Sequence, residues 1–186
     1  MGVSIISNNC SGVRLMQDMG IRYDSPTIAL QIMPEEFTKF CLNLRHYLSL
    51  DITEYTYLSE EHKKYLTNMY GDSIIFPIGL CGDIAVCFQH EESFQIAKEK
   101  WDRRKARVDY DNLRFLFCLE YDRYKDVAQE FSDAHLENAY IFTRDFDIQG
   151  EHTRYHVPDG KNFLEKDKKG QWYFEGGLNR SVWKKY

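Results

Sequence analysis

No apolar run in this chain approaches the roughly 20 residues that cross a bilayer, so no membrane-spanning segment is expected. The amino terminus has neither a basic stretch nor a long apolar core, which argues against a secretory signal. Gly2 is followed by Ile6 where a myristoylation signal has Ser or Thr. The five cysteines, Cys10, Cys41, Cys81, Cys87 and Cys118, include no pair at CxxC spacing. Cys41, Cys87 and Cys118 lie in apolar runs, where cysteine behaves as a small hydrophobe. A reducing, cytoplasmic setting is therefore expected. Also missing are a GxxxxGK[ST] phosphate loop and a GxGxxG turn. Basic charge is not in excess: 24 Lys and Arg face 29 Asp and Glu, a net charge of −5. Such a balance gives no general attraction to a polyanion, so nucleic acid is not an expected partner.

Apolar and aromatic residues are plentiful, at 43% and 15% of 186 residues, enough for the core of one ordinary domain. The chain is organised around 78–90 and 94–108. Residues 84–88 form an unbroken apolar run, as in a strand covered on both faces. Phe94, Ala97, Trp101 and Val108 then recur near one face of a helix. Further strands are expected at 3–7, 27–32, 73–76, 113–119 and 139–143, with an edge pairing in 152–157. Helices are expected at 13–19, 37–48 and 127–131. Pro34, Glu35 and Glu36 open the second of these, since proline suits the first turn and acidic groups its positive end. The alternation predicts an α/β fold: a single three-layer domain over 1–157, its mostly parallel central sheet flanked by helices on both faces. Strands 3–7, 27–32, 84–89, 113–119 and 139–143 are expected to share that sheet. Residues 158–186 are expected to form an aromatic and basic tail docked on the domain through Trp172, Tyr173, Phe174 and Trp183.

Ligands of such sheets bind beyond the carboxyl ends of the strands. That rule selects 8–12, His90, 120–123 and 143–147. Asn8, Asn9 and Ser11 lie between a strand and a helix start, where backbone N–H groups favour an anion. Cys10 is the one cysteine in this polar setting and a candidate nucleophile; His90, ending a strand, is a candidate general acid or base. The alternative is that Asn8 or Asn9 caps the helix, Cys10 packs inward and His90 is solvated. A phosphatase loop is excluded, because it needs Arg six residues after the cysteine and Met16 stands there. Asp83, beside Gly82, and Arg144, at a strand end, complete the ligand-binding candidates. The basic residues of 98–107 read either as a phosphate clamp or as cations at a helix carboxyl end. The second is favoured, since Arg104 would lie roughly 20 Å along the helix from His90. Asp145-Phe146-Asp147 resembles the metal-nucleotide motif of glycosyltransferases, but Asp109-Tyr110-Asp111 has the same pattern. No metal ligand set and no cofactor can be named from the residues.

Several stretches together resemble the bacterial domain-of-unknown-function family 1919, often labelled exopolysaccharide biosynthesis protein. They include Ile6-Ser7-Asn8-Asn9-Cys10, Tyr23-Asp24-Ser25-Pro26-Thr27, Ile32-Met33-Pro34, Pro77-Ile78-Gly79, Gly82-Asp83, Phe88-Gln89-His90, Lys100-Trp101-Asp102-Arg103-Arg104-Lys105, Asp111-Asn112-Leu113 and Phe142-Thr143. The resemblance implies a role in making surface polysaccharide, with a sugar or sugar-nucleotide ligand or other assembly proteins as partners. It assigns no catalytic residue. Three readings stay open: a transferase acting on an anionic or nucleotide-linked sugar, a cysteine-dependent hydrolase or acyl transferase using Cys10 and His90, and a non-catalytic partner in an assembly complex.

Overall fold

The computed structural model describes residues 2–20, 22–72, 74–144 and 146–155. The elements in chain order are β1 (Ser4–Ser7), α1 (Ser11–Met19), β2 (Gln31–Ile32), α2 (Pro34–Leu42), α3 (Leu44–Ser49), β3 (Ile52–Glu54), α4 (Glu60–Tyr70), β4 (Ile78–Cys81), β5 (Ile84–Cys87), α5 (Phe94–Lys105), β6 (Leu113–Leu119), α6 (Lys125–Asp133), β7 (Ala139–Arg144) and β8 (Thr153–Tyr155). Short 3-10 turns at Tyr110–Asn112 and Asp122–Tyr124 bracket β6.

The strands form two sheets. One is parallel, with order β1-β6-β7-β8; the other is antiparallel, with order β2-β5-β4-β3. Alternation along the parallel strands explains how that sheet is covered. Ile5, Leu116, Cys118 and Phe142 project to one face and meet Leu15 and Met16 of α1. Ile6, Phe115, Phe117, Leu119 and Ile141 project to the other and join the larger core with α2, α6 and the antiparallel sheet. There the ring of Phe117 lies 5.0 Å from that of Phe37 in α2 and 4.8 Å from that of Phe131 in α6.

The expected single sheet is therefore corrected. Strands 3–7, 113–119 and 139–143 do share a parallel sheet, but β2 and β5 belong to the antiparallel one. The reason for β5 is local. Cys81 pairs with Ile84, leaving only Gly82 and Asp83 to turn the chain, with Gly82 at φ +64°. A two-residue loop closes a hairpin and cannot make a parallel crossover. The partner strand is β4 rather than 73–76, since pairing starts after Pro77, which has no N–H to donate. The strand expected at 27–32 shrinks to Gln31–Ile32 because Ala29 turns to φ +57° just ahead of it. The helix expected at 37–48 divides at Asn43, whose backbone leaves the helical region (φ −117°, ψ 29°). Thr153–Tyr155 does pair at the sheet edge, parallel to β7. The tail 158–186 lies outside the described residues.

Helix α5 buries Ala97 and Trp101, and Trp101 meets the ring of Phe88 edge-on at 6.2 Å. Lys98, Arg104 and Lys105 of α5, with Arg107 just beyond it, are structural ties. Lys98 and Lys105 both bridge to Asp102. Lys105 also donates to the Leu50 carbonyl at 2.9 Å, and Arg104 donates to the Ile28 carbonyl at 3.3 Å. Arg107 holds Asp24 and the Tyr23 carbonyl at 2.9 and 2.6 Å. Arg104 and Arg107 fasten the carboxyl end of α5 to the loop that leads into β2, and Lys105 fastens it to the segment ahead of β3.

Candidate functional site

The carboxyl ends of β1 and β6 lie side by side, because β1 and β6 are parallel neighbours with Ser7 opposite Leu116. The turn leaving β1 is clamped onto β6. Asn8 accepts from the Cys118 N–H at 2.9 Å and donates from Nδ2 to the Cys118 carbonyl at 3.0 Å. The Asn9 Nδ2 reaches the same carbonyl at 3.3 Å, and its Oδ1 accepts from the Ser11 N–H at 2.9 Å, which starts α1. Gly12 lets the helix rest on the strand, since a Cβ there would stand 2.7 Å from the Ser7 Cβ. Ser11 is buried against β6. Asn8, Asn9 and Ser11, the three residues expected to cradle a ligand, take part in fixing the turn.

That turn presents Cys10, half-buried, immediately before the first residue of α1. From the opposite side comes the segment beyond β5, carrying Gln89 and the exposed His90. The Cys10 Sγ lies 3.4 Å from the His90 Nε2 and 3.8 Å from the Gln89 Oε1. The two sheets thus meet at a thiol and an imidazole 80 positions apart in the chain. A helix amino terminus favours negative charge on a group held there. The arrangement can deprotonate a thiol and stabilise what forms.

Behind Gln89 is a hydrogen-bonded set that sequence reasoning missed. Its Nε2 donates to the Gln31 Oε1 at 2.9 Å and to the Tyr70 hydroxyl. Tyr70 in turn donates to the Gln31 Oε1, and the Gln31 Nε2 donates to the Tyr65 hydroxyl at 2.5 Å. Burial pushes the phenols of Tyr65 and Tyr70 well above their usual range, so both carry their protons. The available signal was a glutamine at the start of β2 and another just beyond the apolar run of β5. Tyr65 also lines a pocket of about 280 Å³ between α4, the start of α2 and the turn after β6. Met33, Tyr65 and Tyr124 form its buried floor; Glu35, Glu61, Lys64, Asn68 and Arg123 form an exposed rim of balanced charge. The Arg123 guanidinium lies over the rings of Tyr121 and Tyr124, at 4.7 and 4.9 Å.

Of the remaining candidates, Asp83 stands apart. Asp83 sits in the β4–β5 turn, held by Lys39 at 2.6 Å and Tyr47 at 2.8 Å; the Lys39 and Tyr47 hydrogen bonds keep its carboxyl below the usual range. It lies at the opposite end of β5 from His90, roughly 20 Å away at the rise of a strand. Arg144 ends β7 at the carboxyl edge, opposite Tyr155 of β8. Of the Asp145-Phe146-Asp147 motif, Asp147 contacts His152 at 3.2 Å, and Asp145 lies outside the described residues.

Residues 1–156 match the family described as Domain of unknown function (DUF1919). The chain belongs to the DUF1919 family. An uncharacterized protein of Haemophilus influenzae (strain ATCC 51907 / DSM 11121 / KW20 / Rd) is 31% identical to this DUF1919 chain over 144 residues. The match covers 76% of this chain and 62% of that relative, so the chain spans less than two thirds of the relative's length. No described helix of this DUF1919 chain is long and apolar enough to cross a membrane.

Proposed function

We propose that this chain is a cysteine-dependent acyl-transfer enzyme, a hydrolase or acyltransferase, acting on an acylated saccharide during surface-polysaccharide assembly. One observation carries the chemistry: the Cys10 Sγ stands 3.4 Å from the His90 Nε2 at the amino terminus of α1. His90 removes the thiol proton as the sulfur attacks an ester carbonyl. The C–O bond of the ester breaks, and the same proton passes from His90 to the departing sugar hydroxyl. A thioester on Cys10 is left. Water or an acceptor hydroxyl, deprotonated by His90, then attacks that thioester and releases the thiol.

The saccharide setting rests on the family resemblance and on the pocket beside Tyr65. Its aromatic floor suits the C–H face of a sugar ring, and its mixed rim can both donate to hydroxyls and accept from them. At about 280 Å³ it is slightly below the roughly 300–1,000 Å³ of ordinary ligand pockets, a size for one ring. This favours a neutral sugar over the nucleotide-linked donor of the transferase reading. The test is incubation with p-nitrophenyl acetate, followed by mass spectrometry of the peptide carrying Cys10. Acetylation at Cys10 that disappears in Cys10→Ser supports acyl transfer. Release of p-nitrophenol at wild-type rate by Cys10→Ser rejects it.

A further inference from the structure

The Gln89 side-chain amide turns its nitrogen into a hydrogen-bonded set and its oxygen toward Cys10. Both N–H bonds of its Nε2 are committed, one to the Gln31 Oε1 at 2.9 Å and one to the Tyr70 hydroxyl. Tyr70 must accept from Gln89 because its own proton goes to the Gln31 Oε1. Gln31 presents its Oε1 to this pair and turns its Nε2 to Tyr65. The end left facing Cys10 is therefore the Gln89 carbonyl oxygen, 3.8 Å from the sulfur. A carbonyl oxygen only accepts. It can bond to S–H and can only repel a thiolate.

Among the described residues, the Gln89 Oε1 and the His90 Nε2 thus both stand within reach of the thiol proton. We propose that Gln89 is the positioning residue of Cys10: held by Gln31 and Tyr70 with its carbonyl toward the sulfur, it keeps the resting thiol protonated and aimed, and His90 takes the proton only during attack. The proposal rests on the Cys10–His90 reading. Among the described residues, other titratable groups that face this network are Cys87 of β5, Tyr65 and Tyr70 of α4, and Cys118 and Glu120 at the end of β6. Burial keeps Cys87, Tyr70 and Cys118 uncharged at neutral pH. Neither His90 nor Glu120 bonds to Gln31, Tyr70 or the Gln89 Nε2 in the amide network.

The decisive variant does not touch Cys10. Gln31→Leu removes the acceptor that orients Gln89, so the amide can turn its Nε2 to the sulfur. The rate of Cys10 alkylation by iodoacetamide, followed from pH 5 to 10 by peptide mass spectrometry, then has its midpoint at least one pH unit lower than in the wild type. That shift is a tenfold gain in thiolate on the rising limb. Tyr70→Phe releases one N–H and moves the midpoint in the same direction by less. Gln89→Glu, which offers only acceptors and a negative charge, moves it upward. Thermal unfolding of each variant confirms that it is folded at the assay temperature. Midpoints unchanged in Gln31→Leu and Tyr70→Phe overturn the role of Gln89. If His90→Ala still shifts the midpoint in that case, the Cys10–His90 pair stands without the network. If His90→Ala is also silent, the pair itself is rejected.

Discussion

His90 and His62 are both imidazoles at the meeting of two elements, and they are opposites. His62 is buried on α4, with its Nε2 2.8 Å from the Glu36 Oε1 and its Nδ1 3.0 Å from the Tyr55 hydroxyl. The other Glu36 oxygen accepts from the Ala85 N–H at 2.9 Å, so the whole cluster joins α2, α4 and β5 with no ring nitrogen left over. Burial holds the Glu36 carboxyl above its ordinary range, against the opposing pull of His62 and Ala85. His90 is exposed, and its Nε2 faces a thiol. A histidine closed on both nitrogens is a cross-brace; one that shares a proton with sulfur at a surface can do chemistry. The cysteines divide in the same way. Burial raises the thiols of Cys41, Cys81, Cys87 and Cys118, while Cys10 stands half-exposed beside His90.

The sharpest way to break the comparison is to remove each histidine in turn. His90→Ala is expected to slow acyl transfer by about 10²- to 10⁴-fold, the usual worth of a general base. Its stability should stay within about 0.5 kcal/mol of wild type, as for most exposed positions; a loss of several kcal/mol in urea unfolding would make His90 a brace as well. Next in size is the contrast among thiols. Alkylation follows the thiolate, and the Cys81 and Cys87 thiols are pushed up to about 11 and about 12. A raised folded value means that these two stay protonated until the pH nears those values. Iodoacetamide at pH 7 to 9 should therefore label Cys10 first, and peptide mapping that finds Cys81 or Cys87 modified at a comparable rate would erase the division.

His62→Ala tests the other side. It takes one partner each from the Glu36 carboxyl and the Tyr55 hydroxyl, at an expected loss of about 1–3 kcal/mol in unfolding free energy. Alkylation of Cys10 should be unaffected; a slowed Cys10 would join the two regions functionally. The smallest effect is expected at Asn9. Asn9→Ala removes the acceptor for the Ser11 N–H and should cost about 1 kcal/mol, as for a lost helix cap. Binding of a neutral glycoside, followed by calorimetry, should not change beyond that, because both ends of the Asn9 side chain are already bonded within the protein.

Much of the fold was legible because burial writes a pattern along the chain. The runs at 3–7, 113–119 and 139–143 are strands of one parallel sheet, and 94–105 is a helix with Ala97 and Trp101 inward. The run at 84–88 was recognised as a covered strand and assigned to the wrong sheet. Its four strand residues are all buried, which happens equally in parallel and antiparallel sheets when both faces are packed. Only the Gly82-Asp83 hairpin sets its direction.

The candidate site divides along the same line. That Cys10 lies between a strand and a helix start, and that His90 follows a strand, are local facts, and the sequence by itself determined them through apolar runs ended by polar residues. That the two stand 3.4 Å apart is a matter of how two sheets pack, since nothing in a one-dimensional pattern relates positions 80 residues apart. The same holds for Gln31, Tyr70 and Gln89, which only the tertiary structure brings together. It also decided that Asn8 and Asn9 bond to β6. A polar side chain satisfies whichever partner the fold places within reach, and that partner has no signature at its own position in the chain.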